Sequence, residues 1–218
     1  KDKIIDKLNE WGYRDAYIVR DSVTQYDEKH VDVHIDLDRG DKYYLRNVSW
    51  VGNTVYNHDD LNRTLQLKRG DVYNQKLLTE RLQTDDDAIA NQYYNHGYVF
   101  SRVTPVETNV VGDSIDLEVR IIENNQAHLN HVNIAGNDRV FDEVVRRELK
   151  TKPGDLFNRE AIMRSARDIM SMGLFEPEKV EPEPKPNQED GTVDLTYKLV
   201  SKSADQFEIS GGWGPAGI

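Results

Sequence analysis

The apolar positions of this chain change period along its length, and each change marks an element. Ile4, Ile5, Leu8 and Trp11 form one helical stripe over Lys1–Glu10, and Gly12 stands where that helix ends. Tyr17–Tyr26 predicts a strand, Asp27–Lys29 a turn, and His30–Asp38 a strand of strict alternation. Val31, Val33, Ile35 and Leu37 take one face of it, and His30, Asp32, His34 and Asp36 take the other.

A longer unit follows. Tyr44–Val51 predicts a strand closed by Gly52-Asn53, and Asn57 with Asp59 and Asp60 caps a short helix bearing Leu61 and Leu65. After the turn at Arg69-Gly70-Asp71, Asn74 opens a longer helix that buries Leu78, Leu82, Ile89 and Tyr93 and stops at Gly97. Tyr98–Glu107 and Ile115–Glu123 then form a hairpin around Val111-Gly112-Asp113. The order is strand, helix, helix, strand, strand.

That order recurs. Leu129–Ile134 is a strand, Phe141, Val144, Val145 and Leu149 mark a helix, and Ile162, Ala166, Ile169 and Met170 mark a second, capped by Asn158 and ended by Gly173. Leu174–Val180 is the next strand, followed by a Pro-rich link, a turn at Asp190-Gly191 and a strand over Thr192–Val200. Gly52 and Gly136 stand 84 positions apart, as do Gly70 and Gly154, and Asn74 and Asn158. Constant spacing of glycine-centred signals makes an internal repeat. Gly97 and Gly173 are only 76 apart, so the last copy's second helix is expected to be about two turns shorter. Asp32 lies 84 before Asp116, which aligns the opening helix and hairpin with the back half of the unit.

Composition narrows the function. The 218 residues carry 28 Lys and Arg against 39 Asp and Glu, a net charge of −11. That balance disfavours nucleic-acid phosphate and anionic membrane surfaces as partners. Without cysteine there are no disulfides or thiolate metal sites. No apolar run approaches the ~18 residues of a membrane-spanning helix, and the opening residues carry no signal-peptide pattern. No serine–histidine–acid set, phosphate loop or paired carboxylates can be assigned to a shared cleft, so neither an enzyme nor a cofactor is expected.

Three clusters could carry chemistry. His30, Asp32 and His34 have zinc-ligand side chains. Strand side chains two apart diverge, however, and the solvated face of an amphipathic hairpin explains the run. Asp85-Asp86-Asp87 cannot converge on a cation from a regular helix, where neighbours point ~100° apart. Arg39-Gly40-Asp41 and Arg69-Gly70-Asp71 spell an adhesion tripeptide, but both fall at turns set by the repeat.

The repeat motifs are Val51-Gly52-Asn53 with Ala135-Gly136-Asn137, Gly70-Asp71-Val72-Tyr73 with Gly154-Asp155-Leu156-Phe157, and His96-Gly97-Tyr98 with Met172-Gly173-Leu174-Phe175. In this order they resemble the polypeptide-transport-associated (POTRA) repeats of the BamA family. The resemblance implies an α+β fold of tandem POTRA-like domains, each a three-stranded mixed sheet with two helices. The expected divisions are 1–42, a truncated repeat; 43–126 and 127–206, complete repeats; and 207–218, the start of a first barrel strand. The last segment, Phe-Glu-Ile-Ser-Gly-Gly-Trp-Gly-Pro-Ala-Gly-Ile, is one strand's worth of a membrane barrel. The family further implies the periplasmic portion of an outer-membrane protein of a Gram-negative bacterium, set ahead of the chain's own C-terminal membrane barrel. Its partners would be unfolded outer-membrane β-barrel proteins and accessory assembly lipoproteins. The alternatives are a structural spacer and the arm of a secretion or autotransporter-assembly relative.

Small sheets leave edges, and an edge strand templates a partner strand. The expected client-binding edges are Tyr17, Ile18, Val19 and Val23 in the first unit, and Tyr98, Val99, Phe100, Arg102 and Val103 in the second. In the last unit Pro177, Pro182, Pro184 and Pro186 with four nearby glutamates blunt the edge.

Overall fold

The computed structural model describes residues 1–202, so the segment 207–218 and the end of the 127–206 division lie outside the described residues. Two compact units are present: Lys1–Ala127 with Leu156–Asn158, and His128–Asp155 with the residues from Arg159 onward.

The first unit opens with α1 (Asp2–Glu10) and the hairpin of β1 (Tyr17–Gln25) and β2 (Val31–Asp38). Val23 lies opposite Val33 and Ile18 opposite Leu37, so the alternation does gather an apolar face. That face is open: Val23 is 62% exposed and Val33 is 59% exposed. The α1 stripe is likewise only half-buried at Ile4, Ile5 and Leu8, and Trp11 is exposed. Alternation identifies the apolar side of a strand without supplying the layer that covers it.

The complete repeat in this unit contains β3 (Tyr44–Val51), α2 (His58–Leu65), α3 (Gln75–Thr79), α4 (Ile89–Asn95), β4 (Arg102–Val111) and β5 (Ser114–Ile122). The sheet order is β3-β5-β4, parallel on one side of β5 and antiparallel on the other. Ile115, Leu117, Val119 and Ile121 bury one face of β5 against Leu61, Leu65, Leu82 and Tyr93 of the helical layer. The caps are as the residue types predict. Asn57 Oδ1 accepts from Asp60 N at 2.9 Å, and Asn74 Oδ1 from Leu77 N at 2.9 Å.

The helix expected from Asn74 to Gly97 is broken. After α3 comes a π turn over Glu80–Thr84, where Asp85 N bonds Glu80 O at 3.0 Å; Asp85 is then extended, and α4 restarts at Ile89. The cause is Arg81, which is 8% exposed. Its guanidinium reaches Thr64 O from Nε at 2.9 Å, Asp87 from Nη1 at 2.9 Å and from Nη2 at 3.0 Å, and Asp85 from Nη1 at 3.1 Å. Asp85 and Asp87 therefore converge after all, on a cation supplied by the chain, because the backbone between them is not helical.

The second unit contains β6 (His128–Ala135), α5 (Asp142–Arg146), α6 (Arg159–Ser171), β7 (Glu181–Asn187) and β8 (Thr192–Lys198), with sheet order β6-β8-β7. Here α6 runs unbroken for 13 residues. The helical segment of the preceding copy runs from Gln75 to Asn95 with its interruption, so α6 is the shorter of the two as the glycine spacing predicts, and the extra residues of the preceding copy include its non-helical break. Phe141, expected on the helix, occupies the N-cap position of α5 and is 81% exposed; Val145 is the buried residue. The outer strand is also shifted. Leu174–Val180 holds a single bridge at Phe175 and a 3₁₀ turn, Pro177–Lys179, while β7 occupies the segment read as a Pro-rich link.

One turn defines both copies. Asn53 Nδ2 donates to Tyr56 O at 2.8 Å, and Asn137 Nδ2 to Val140 O at 3.1 Å. Gly52 and Gly136 precede these asparagines at φ +87° and +82°. A Cβ would lie 2.1 Å from Ile121 O at Gly52 and 2.0 Å from Leu199 O at Gly136. Only glycine admits the central strand this closely.

Candidate binding edges

Which backbone groups each outer strand offers follows from the pairing. Tyr26 N bonds His30 O at 3.1 Å, so alternation turns Asp21, Val23 and Gln25 of β1 outward. All three have an N–H. Val23 is thus placed as an edge residue, with Tyr17 and Ile18 at the strand's start and Val19 at the register shift between Ile18 and Arg20.

In the second repeat, β4 begins at Arg102. Tyr98, Val99 and Phe100 lie in a turn before it, not on the edge. Tyr98 N bonds Tyr93 O at 3.0 Å, and the Tyr98 ring packs edge-on against Tyr93 at 6.0 Å. A glycine-terminated helix leaves carbonyls that the next residues satisfy, which delays the strand. Arg102 is exposed, and Val103 has a buried side chain. Since Ile121 O faces Gly52 on the β3 side, Val103, Pro105 and Glu107 present their backbone groups outward. Gln83 Nε2 approaches Val103 O at 3.4 Å, and Pro105 has no N–H. The first half of this edge is therefore partly closed, and its open stretch begins near Glu107. A groove of about 500 Å³ runs beside the closed half, lined by Gln83, Tyr94 and Ser101 among others.

In the third repeat, Leu199 N donates to Ala135 O at 2.8 Å, so Val193, Leu195 and Tyr197 face β6. Their partners on β7 are Pro186, Pro184 and Pro182. Each outward donor position from Pro182 to Pro186 is proline, which leaves the ladder to β8 intact and removes the donors a further strand would use.

Charged contacts anchor the first two edges. Glu107 accepts from Tyr73 Oη at 2.7 Å and from Arg14 Nη1 at 2.7 Å. Tyr43 Oη donates to Asp15 at 2.7 Å, and Lys76 Nζ to Glu10 at 2.9 Å, so α1 and the link from it to β1 are tied to the second repeat through several charges. Asp15 is held below the ordinary carboxylate range first by Arg14 and then by Tyr43. Glu123 closes the loop after β3. Burial pushes its carboxyl up, but Thr54 Oγ1, the amides of Val55 and Thr54, and Tyr93 Oη outweigh burial and hold it low. Ser201 stands at this position in the third repeat, as the strand registers show.

The histidine run does not assemble a metal site. His30 precedes β2 and bonds Asp27 at 2.8 Å, His34 bonds Asp36 at 2.8 Å, and Asp32 lies opposite Thr24. Among the described residues no group of three His, Asp or Glu side chains could hold one metal ion. Sequence reasoning missed Arg81, Gln83 and Glu123. The first had a signal, an arginine on the apolar stripe beside three aspartates.

A family model described as POTRA, surface antigen variable number repeat, matches residues 43–124 and 127–202. The outer membrane protein assembly factor BamA of Neisseria meningitidis serogroup B is 26% identical over 216 residues, 97% of this chain and 26% of that protein. BamA of Nitratidesulfovibrio vulgaris is 26% identical over 204 residues, 93% of this chain and 25% of its own length. The chain thus spans about a quarter of the curated relatives it matches. Among solved structures, the third to fifth POTRA repeats of Haemophilus influenzae BamA superimpose with a TM-score of 0.76 at 24% identity, covering 92% of this chain and 78% of that one. At that identity the likeness establishes the fold: α+β, with mixed three-stranded sheets under helices. Matched repeats in tandem, with one topology in both, show that this chain belongs to the POTRA family.

Proposed function

We propose that the chain is a non-enzymatic binding arm on the periplasmic side of an outer-membrane assembly protein. It receives unfolded β-barrel clients by strand addition and docks accessory assembly lipoproteins, ahead of a C-terminal membrane barrel. The observation that carries this reading is the gradation among edges. β1 keeps every outward N–H over Asp21–Gln25, β4 is open from near Glu107, and β7 has prolines at three successive outward positions. Backbone hydrogen bonds are common to all clients, so an edge of this kind tolerates many sequences. A rigid spacer would have no reason to differ in this way from repeat to repeat.

The test is an NMR titration with an unfolded peptide of alternating apolar and polar residues taken from a barrel strand. Amide shifts at Asp21–Gln25 and Glu107–Val111, with none at Glu181–Asn187, are expected. Flat spectra at millimolar peptide would leave the spacer as the better account.

A further inference from the structure

The opposite edge of the second repeat's sheet has a second opening. A groove of about 800 Å³ lies between β3 and α2, and four cations, Arg46, Arg63, Lys68 and Arg69, line it together with only two acids, Asp59 and Asp116. Arg46 is paired with Asp116, and Arg63 reaches Asp60 at 3.1 Å. The side chains of Lys68 and Arg69 have no ion pair among the described residues. In a chain of net charge −11, this is a local excess of positive charge.

The backbone beside these cations is also unfilled. Leu45 is covered, because Gly70 N donates to Leu45 O at 2.7 Å and Leu45 N to Asp71 O at 2.8 Å. A one-residue bulge follows between Leu45 and Asn47. Since Leu199 N bonds Ala135 O, alternation turns Val132 outward in the third repeat, and there Arg146 Nη1 donates to Val132 O at 3.2 Å. Val48 is the counterpart of Val132, and Asn62 the counterpart of Arg146, at the 84-residue spacing. Asn62 is already engaged, accepting from Trp50 Nε1 at 2.8 Å. The second repeat therefore lacks the side-chain cap that closes this edge in the third.

We infer that this groove receives an acidic, extended segment of a partner protein, hydrogen-bonded to the β3 edge at Val48 with its carboxylates on Lys68, Arg69 and Arg63. Charge complementarity selects the segment, and the missing cap leaves the edge free to bind it. Client capture uses the other side of the sheet, so either reading can fail without the other.

The experiment titrates the ¹⁵N-labelled chain with a short peptide of alternating glutamate and valine, and separately with its lysine–valine counterpart. Saturable shifts are expected at the Val48, Ser49 and Trp50 amides and the Trp50 indole with the glutamate peptide alone. Joint Lys68→Glu and Arg69→Glu substitution, both on the surface, should weaken binding about tenfold at low salt, and added salt should weaken it in the parent chain. Asn62→Arg, which installs the third repeat's cap and also removes the Trp50 indole's acceptor, should abolish the peptide-induced shifts of the Val48 and Ser49 amides, and an unchanged spectrum away from Trp50 serves as the folding control. Equal binding of the lysine peptide, shifts confined to other strands, or no shifts at millimolar peptide would each overturn the inference.

Discussion

Gly52→Ala is the sharpest probe of how this repeat is built, because a second glycine in the same repeat serves as its control. At both positions φ is positive, +87° at Gly52 and +91° at Gly70. A side chain there costs about 1–2 kcal/mol in backbone conformation alone. Nothing lies within 4 Å of a Cβ at Gly70, so Gly70→Ala should cost about that much and no more. At Gly52 the added carbon would sit 2.1 Å from Ile121 O, on the central strand. Relieving that contact requires β3 and β5 to part by roughly 1 Å, which breaks the ladder bonds near Val51 at about 1 kcal/mol each. Gly52→Ala should therefore cost about 3–5 kcal/mol, a large share of the ~5–15 kcal/mol that stabilises an ordinary domain. Urea denaturation followed by far-UV circular dichroism reads the two costs, and amide exchange of β5 places the damage in this sheet. Equal destabilisation by the two substitutions would refute the close-approach argument.

Three further outcomes follow from the contacts. Arg81→Met should destabilise the second repeat by about 2–4 kcal/mol in urea, because Thr64 O loses its charged donor and Asp85 and Asp87 lose their shared cation. Asp85→Asn, whose carboxylate makes only one of the arginine's bonds, should cost less. Glu123 has a folded pKa held below its ordinary 4.5, so its contribution is complete above that value and lost as pH falls through the lower folded value. Glu123→Gln should flatten this acid limb of stability, measured by thermal melts between pH 6 and pH 3. Restoring donors on β7 by joint Pro182→Thr, Pro184→Thr and Pro186→Thr substitution should make that edge sticky, seen as concentration-dependent dimers by analytical ultracentrifugation.

Much of the architecture was legible because the signals are local and recur. The 84-residue spacing of Gly52 and Gly136, the caps at Asn57 and Asn74, and the buried pairs Leu61 with Leu65 and Leu78 with Leu82 are set by short-range chemistry. The broken helix was not legible from its apolar stripe, since Ile89 and Tyr93 keep helical spacing across the break. What decides it is Arg81 turning inward to the carbonyl end of α2, a contact 17 residues back in sequence. Strand β7 is not legible by composition, because prolines argue against a strand in general. Proline at every second position satisfies an outer strand instead, and that spacing was the overlooked signal. The open apolar face of the β1–β2 hairpin needed knowledge of what packs on it, which alternation does not contain. For the edges, the sequence marked which copy was blunted. The pairing register was needed to show that Tyr98, Val99 and Phe100 precede β4 and that Gln83 and Pro105 close its first half.

The central claim is that unfolded barrel proteins are held on specific sheet edges. Site-specific photocrosslinking in cells, with this chain carried ahead of the proposed membrane barrel, tests it most directly, the photoreactive residue being placed in turn at Val23, Val110 and Glu183 during synthesis of a barrel client. The account predicts crosslinks to the client from Val23 and Val110 and none from Glu183. Equal crosslinking at all three positions, or crosslinking from Glu183 alone, would contradict it.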